Sequence, residues 1–325
     1  MDRVFFLAAN SGSGFFSLYD GFPGEGVFLH IIKGGPGTGK SGFMRRIKSR
    51  AEKLGMDTET ILCSGDPDSL DALYIPALRQ AWVDGTAPHV REPSIFGADS
   101  DYVNLGDFCR LPLKAVDRER AEVLNAGYKA EYASAYGYLA AAKAVERAYE
   151  NTEDNTDEQS DLLAFLDGFI PQSAKKKAKT EKRFISAISC MGIISLNETV
   201  NLLCKQKYEV TDVNALLTAA EYAEKRGLHS ILCPDPLDPD KPEALLLPDC
   251  SLCITLSESK TNYDKKLRRS IREEQRLREK LLSCAVESLA SAKAKHDELE
   301  NVYRPYMDFE ALTEYTGRYI SDLFG

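Results

Sequence analysis

Residues 26–54 read GVFLHIIKGGPGTGKSGFMRRIKSRAEKL, an apolar run, a glycine-rich stretch and an amphipathic segment in that order. The pattern predicts strand, loop and helix. Within it Gly34-x-x-x-x-Gly39-Lys40-Ser41 has the spacing of a phosphate-binding loop, and it lies between the strand and helix that such a loop requires. Glycines at 34, 35, 37 and 39 let the backbone turn its N–H groups inward without side chains in the way. Lys40 is then expected on the outer phosphates and the Ser41 hydroxyl on a magnesium ion. The nucleotide-contacting set is Gly34, Gly35, Pro36, Gly37, Thr38, Gly39, Lys40, Ser41 and Gly42.

The composition allows such a protein and argues against others. A chain of 325 residues with 43% hydrophobic content can build two cores. Its formal charge of -9 argues against a protein that coats nucleic acid. No apolar run approaches bilayer length, and MDRVFFLAANSGSG lacks a basic region and a long apolar core, so a cytoplasmic protein is expected, without a membrane partner. Eight scattered cysteines fit free thiols in a reducing compartment.

Landmarks of the first half recur in order in the second. Gly14-Phe15-Phe16-Ser17-Leu18 returns as Gly192-Ile193-Ile194-Ser195-Leu196, and Ala51-Glu52-Lys53 as Ala223-Glu224-Lys225. Ile61-Leu62-Cys63 returns as Ile231-Leu232-Cys233, and Ala72-Leu73-Tyr74-Ile75-Pro76 as Ala244-Leu245-Leu246-Leu247-Pro248. Leu139-Ala140-Ala141-Ala142-Lys143-Ala144 returns as Leu289-Ala290-Ser291-Ala292-Lys293-Ala294.

The expected architecture is a duplicated α/β phosphate-loop NTPase core with a mainly parallel sheet, each copy followed by a long helical hairpin. The predicted division is a core over 1–114, a hairpin over 115–170, a linker over 171–182, a second core over 183–257 and a second hairpin over 258–325. Residues 307–323 are expected to return along the helix before them, and the long helices are a candidate surface for a protein partner. Where the first copy has Gly39-Lys40-Ser41, the second has Thr211-Asp212-Val213, and an aspartate there repels phosphate. The second copy is therefore expected to keep the fold and to have lost the ligand.

Asp84 ends the apolar run Gln80-Ala81-Trp82-Val83 and is the candidate magnesium-organising carboxylate. Thr86 and His89 follow in a segment without a counterpart, as candidates for sensing the terminal phosphate or placing water. Asp66 and Asp68 could add a carboxylate, although a similar Asp-Pro in the second copy favours a turn role for Asp66; Asp99 and Asp101 are weaker candidates. Arg45, Arg46, Arg79 and Arg91 could each neutralise developing charge. Cys250-x-x-Cys253 reads as thiols in a strand, and Tyr128, Tyr132 and Tyr136 as a helical packing stripe.

Three motifs in order, Lys33-Gly-Gly-Pro-Gly-Thr-Gly-Lys-Ser41, Cys63-x-x-Asp66-Pro-x-Ser-Leu-Asp71 and Asp84-x-Thr-Ala-Pro-His89, resemble a poorly characterised family of bacterial P-loop ATPases built as two tandem units. The resemblance covers nearly the whole chain. It implies ATP and Mg2+ binding with Lys40, Ser41 and Asp84 in their usual roles, His89 within a family motif, and no particular pathway. Family members carry a recognisable loop in each unit, and Thr211 to Val213 depart from that. The expected activity is water attack on the terminal phosphate of ATP. A small-molecule kinase and a nucleotide-gated interaction module with little turnover are the alternatives.

Overall fold

A computed structural model describes residues 1–88, 90–147, 156–169, 179–257 and 265–325. The chain is a mixed α/β protein. The first half runs β1 (Asp2–Phe6), β2 (Ala8–Ser11), β3 (Gly14–Ser17), β4 (Phe28–Lys33), α1 (Lys40–Lys53), β5 (Thr58–Leu62), β6 (Leu70–Ile75), β7 (Gln80–Asp84), β8 (Ser100–Asn104), α2 (Ala115–Arg147) and α3 (Thr156–Asp167). The second runs β9 (Glu181–Lys182), β10 (Ser186–Ser189), β11 (Gly192–Ser195), α4 (Asn197–Leu203), β12 (Gln206–Val210), α5 (Val213–Lys225), β13 (Ile231–Pro234), β14 (Pro242–Leu247), β15 (Leu252–Leu256), α6 (Lys265–Tyr303) and α7 (Phe309–Phe324). Strand β9 lies inside the stretch expected to be linker, and residues 171–178 of that stretch fall outside the described residues.

The first sheet has the order β1-β5-β6-β7-β4-β8 and the second β12-β15-β14-β13-β9. Both are mixed, which corrects the expectation of a mainly parallel sheet. β6 runs antiparallel to β5 and β7, and β14 antiparallel to β13 and β15, while the remaining pairs are parallel. The reason is connection length. Only Pro76 to Arg79 separate β6 from β7, and a parallel crossover needs about a dozen residues or more. Read from the other edge, the second sheet repeats the order and the senses of the first without its β8 edge strand.

Equivalent residues of the two halves meet at their junction. Phe6 and Phe184 exchange backbone hydrogen bonds of 3.0 and 2.9 Å. The β2–β3 turn donates from Gly12 N–H to Leu237 O, and the β10–β11 turn answers with Cys190 N–H to Gly65 O. Each turn is held by the same device, Ser11 Oγ on Gly14 O and Ser189 Oγ on Gly192 O. One apolar cluster containing Phe5, Leu7, Ile61, Ile231, Cys233 and Leu246 spans both halves.

The helices depart from the expected hairpins. α2 and α6 pack on each other in opposite directions, Ala121 near Leu299 at one end and Leu139 near Leu282 and Leu289 further along. Tyr128, Tyr132 and Tyr136 form the expected packing stripe on this pair, with neighbouring rings 4.9 and 5.8 Å apart. The short helices then cross over. α3 sets Leu162 and Leu166 against Ala215, Leu216 and Ala219 of α5. α7 does not return along α6; it sets Leu312, Tyr315 and Tyr319 against the cluster of Phe43, Met44 and Ile47 on α1. The apolar faces decide this, because α1 and α5 each carry a stripe that their own half leaves partly uncovered. No described helix is long and apolar enough to cross a membrane.

Candidate functional site

The glycine-rich segment folds as the spacing predicts. Six residues, Gly34 to Gly39, join β4 to α1, and the helix opens on Lys40 and Ser41. Gly37 and Gly39 take φ of +71° and +87°, in the left-handed region where a Cβ is strained. Gly39 is also the residue before the first turn of α1, and no side chain caps that end. Its unpaired N–H groups are therefore available to an anion.

Lys40 and Asp84 come together. Lys40 Nζ donates to Gly34 O and Gly35 O at 3.0 and 3.1 Å and lies 3.6 Å from Asp84 Oδ2. Asp84 ends β7, the parallel neighbour of β4, and this pairing sets Ile32 opposite Asp84 at the edge where the loop begins. Its Oδ1 accepts from Thr86 N–H at 2.9 Å and Thr86 Oγ at 2.5 Å, so Thr86 orients the carboxylate. The Ser41 hydroxyl accepts from Leu70 N–H at 3.0 Å and from Arg45 Nε at 3.3 Å.

The remaining candidates separate. His89 lies outside the described residues. Of the candidate arginines, Arg45 touches the helix start through Ser41, and it also donates to Asp68 O. Arg91 instead holds Tyr19 O and Phe22 O at 2.8 and 2.7 Å, and Arg79 sits in the β6–β7 turn at the opposite end of the sheet. Asp66 accepts from Ser69 Oγ in its own turn, in keeping with a turn role. Asp99 accepts from Ile95 N–H, and Asp101 meets His30 Nδ1 at 2.7 Å, so neither joins the loop. All eight cysteines are free; Cys253 is buried, Cys250 is half-buried, and burial pushes the Cys253 thiol up to about 12.

The second half supplies residues at this site that no local motif announces. A Cβ at Gly37 would stand 3.2 Å from Glu300 O on α6, and one at Gly39 would stand 3.2 Å from Leu312 Cδ2 on α7. The loop thus lies beneath a roof made by the last turns of α6 and the first of α7. Asp308, before α7, fixes this roof to the first half by accepting from Arg110 Nη2 at 2.9 Å and donating its N–H to Phe108 O at 2.8 Å.

In the second half the corresponding connection is shorter. Only Thr211 and Asp212 lie between β12 and α5, where the first half has six residues. The start of α5 holds a carboxylate of the chain itself. Glu158 of α3 accepts from Thr211 N–H, Thr211 Oγ1 and Asp212 N–H at 2.8 to 3.1 Å, while Asp212 caps the helix through Asn214 N–H.

Ser41 and Asp84 offer a metal oxygen donors alone, and among the described residues no group of three or more His, Cys, Asp or Glu could hold a metal. That donor set fits Mg2+, which takes few protein ligands and completes its octahedron with phosphate and water. Comparison with protein-family models, curated proteins and solved structures found no match, so the reading of this site rests on its own geometry.

Proposed function

We propose that the first half binds ATP with Mg2+ and hydrolyses it, and that the second half is a duplicated, degenerate copy serving as scaffold and roof. The observation that carries this reading is the convergence of Lys40, Ser41 and Asp84 on a loop whose Gly37 and Gly39 are bent as a phosphate cradle requires. Backbone N–H groups between Gly34 and Gly42, Pro36 excepted, hold the phosphates, and Lys40 leaves its carbonyl partners to neutralise them. Ser41 and Asp84 would hold Mg2+, which would supply charge neutralisation at the terminal phosphate. Thr86 orients the Asp84 carboxylate for this role.

A second reading, a nucleotide-gated interaction module, draws on the roof. Phosphates entering beside Gly37 and Gly39 press on Glu300 and Leu312, and the movement passes to the α2–α6 pair.

Steady-state phosphate release and equilibrium binding of ATP and GTP test both readings. Lys40→Ala should weaken nucleotide binding at least tenfold. Asp84→Asn should retain binding and lose turnover by about 10²-fold or more. Normal turnover in both variants would remove the catalytic assignment. Tight binding with negligible wild-type turnover selects the gated module.

A further inference from the structure

A cavity of 410 Å³ opens in the second half among β10, α4, the start of α5, the start of β14 and the end of β15. A smaller one of 140 Å³ adjoins it, sharing Ser186, Ser195, Asp235 and Glu243. The first half shows what the fold can place there. Glu243 and Asp71 occupy the same irregularity of their ladders, between the residues facing Cys233 and Pro234 and those facing Ile61 and Leu62. By the same registers Thr255 corresponds to Val83 and Leu256 to Asp84. Asn197 follows Leu196 as Tyr19 follows Leu18, and those leucines donate equivalently to Ile185 O and Leu7 O.

In the first half this place is filled by the Tyr19 ring, 3% exposed. Burial and then the Asp71 carboxylate beside it hold its phenol well above its usual pKa. In the second half Asn197 leaves the ring's volume empty. The chemistry of the wall changes with it: Ala8 becomes Ser186, and Val83 becomes Thr255, whose hydroxyl oxygen is buried with no hydrogen-bond partner among the described residues. A buried hydroxyl without a partner is unfavourable, so a donor or acceptor brought by a ligand is favoured there. The reverse exchange occurs on the nucleotide side, where Ser41 and Asp84 become Val213 and Leu256.

We infer that this cavity is a binding site for a ring-sized, neutral or cationic small molecule that presents a hydroxyl or ammonium donor to Glu243, as Tyr19 presents its phenol to Asp71. Glu243 accepts from Ser186 Oγ at 2.7 Å. Lys143 and Lys241 lie 2.5 and 3.5 Å from Asp238 and offset it, whereas Asp235 acts on Glu243 as a second carboxylate. Asp235 and Glu243 therefore disfavour an anion in the ring's place. Ile185, Val200 and Ala244 give the apolar wall that a ring needs. The site is separate from the phosphate loop, and its test does not depend on nucleotide chemistry.

Calorimetric titration of the full chain with phenol, tyramine and benzoate decides the matter. Phenol and tyramine should bind the wild type with a dissociation constant of about a millimolar, the range open to so few atoms, and benzoate at least tenfold more weakly. Asn197→Tyr, which restores the first half's ring, should weaken both at least tenfold. Thr255→Val, which keeps shape and removes the hydroxyl, should weaken them about threefold or more, and it serves alone if Asn197→Tyr fails to fold. Absence of binding to the wild type, benzoate binding as tightly as phenol, or unchanged affinity in the folded variants would overturn the assignment.

Discussion

Glu158 at the start of α5 shows how one side chain can make a short strand–helix connection tolerable. A two-residue connection exposes N–H groups at the positive end of a helix, and a carboxylate from α3 satisfies them. Replacing it by alanine returns those groups to water, at a cost of about 0.5–2 kcal/mol, the range of a lost N-cap. Urea unfolding of Glu158→Ala against the wild type measures this, and an unchanged midpoint would mean that the contact is ornamental. The carboxylate of Asp212 before the helix was legible in the chain, but Glu158 was not, because its partner Thr211 lies 53 residues away. Glu243 gives a second prediction at this scale. Burial first, with Asp235 adding, raises its pKa from 4.5 to about 7. Between those values the folded carboxyl keeps a proton that the unfolded chain has released, so stability falls as pH rises from about 4.5 to about 7, and the penalty persists above. Glu243→Gln, which keeps an acceptor for Ser186, should therefore gain about 2 kcal/mol over the wild type near pH 8 and almost nothing near pH 4.5. Thermal unfolding at the two pH values reads the difference.

At the scale of elements, α7 determines how firmly the first half's core is closed. Its Tyr319 hydroxyl accepts from the Trp82 indole at 2.9 Å, and its ring packs against His30 and Phe43 with centroids 6.0 and 5.1 Å away. Tyr319→Phe keeps the rings and loses the hydrogen bond, costing about 1 kcal/mol or slightly more, since the indole N–H is left buried. Leu312→Ala empties space between α7 and Gly39 and should cost about 2–3 kcal/mol. Denaturant titration ranks the two, and the reverse order would show that α7 is held by its polar contact. The strand–loop–helix around Lys40 could be read directly because all its signals lie within 29 residues. The sheet's mixed sense was present too, in the four residues from Pro76 to Arg79, but an alternation of apolar runs carries no direction. The docking of α7 on α1 was hidden, since an amphipathic stripe states that a helix is covered and not by what.

Across the whole molecule the same exchange is made twice, with α3 covering α5 and α7 covering α1. Two ion pairs repeat it: Lys143 of α2 reaches Asp238 in the second half at 2.5 Å, and Lys293 of α6 lies 3.6 Å from Asp66 in the first. Because the pattern recurs in the half whose strand–helix connection has only two residues, these lysines serve the junction of the halves. Each half then depends on a helix that the other supplies. Residues 1–170 expressed alone would leave Phe43, Met44 and Ile47 without the cover of α7, an apolar face that favours association over a stable monomer. Coexpressed with residues 171–325, the fragment should be recovered as a one-to-one complex, because the cluster of Phe5, Leu7, Ile231 and Leu246 and both crossed helices join the pair. Size-exclusion chromatography with light scattering distinguishes the cases. Two independently folded monomers that ignore one another would mean that the crossed helices add little to either core, and the roof over Gly37 and Gly39 would lose its mechanical footing.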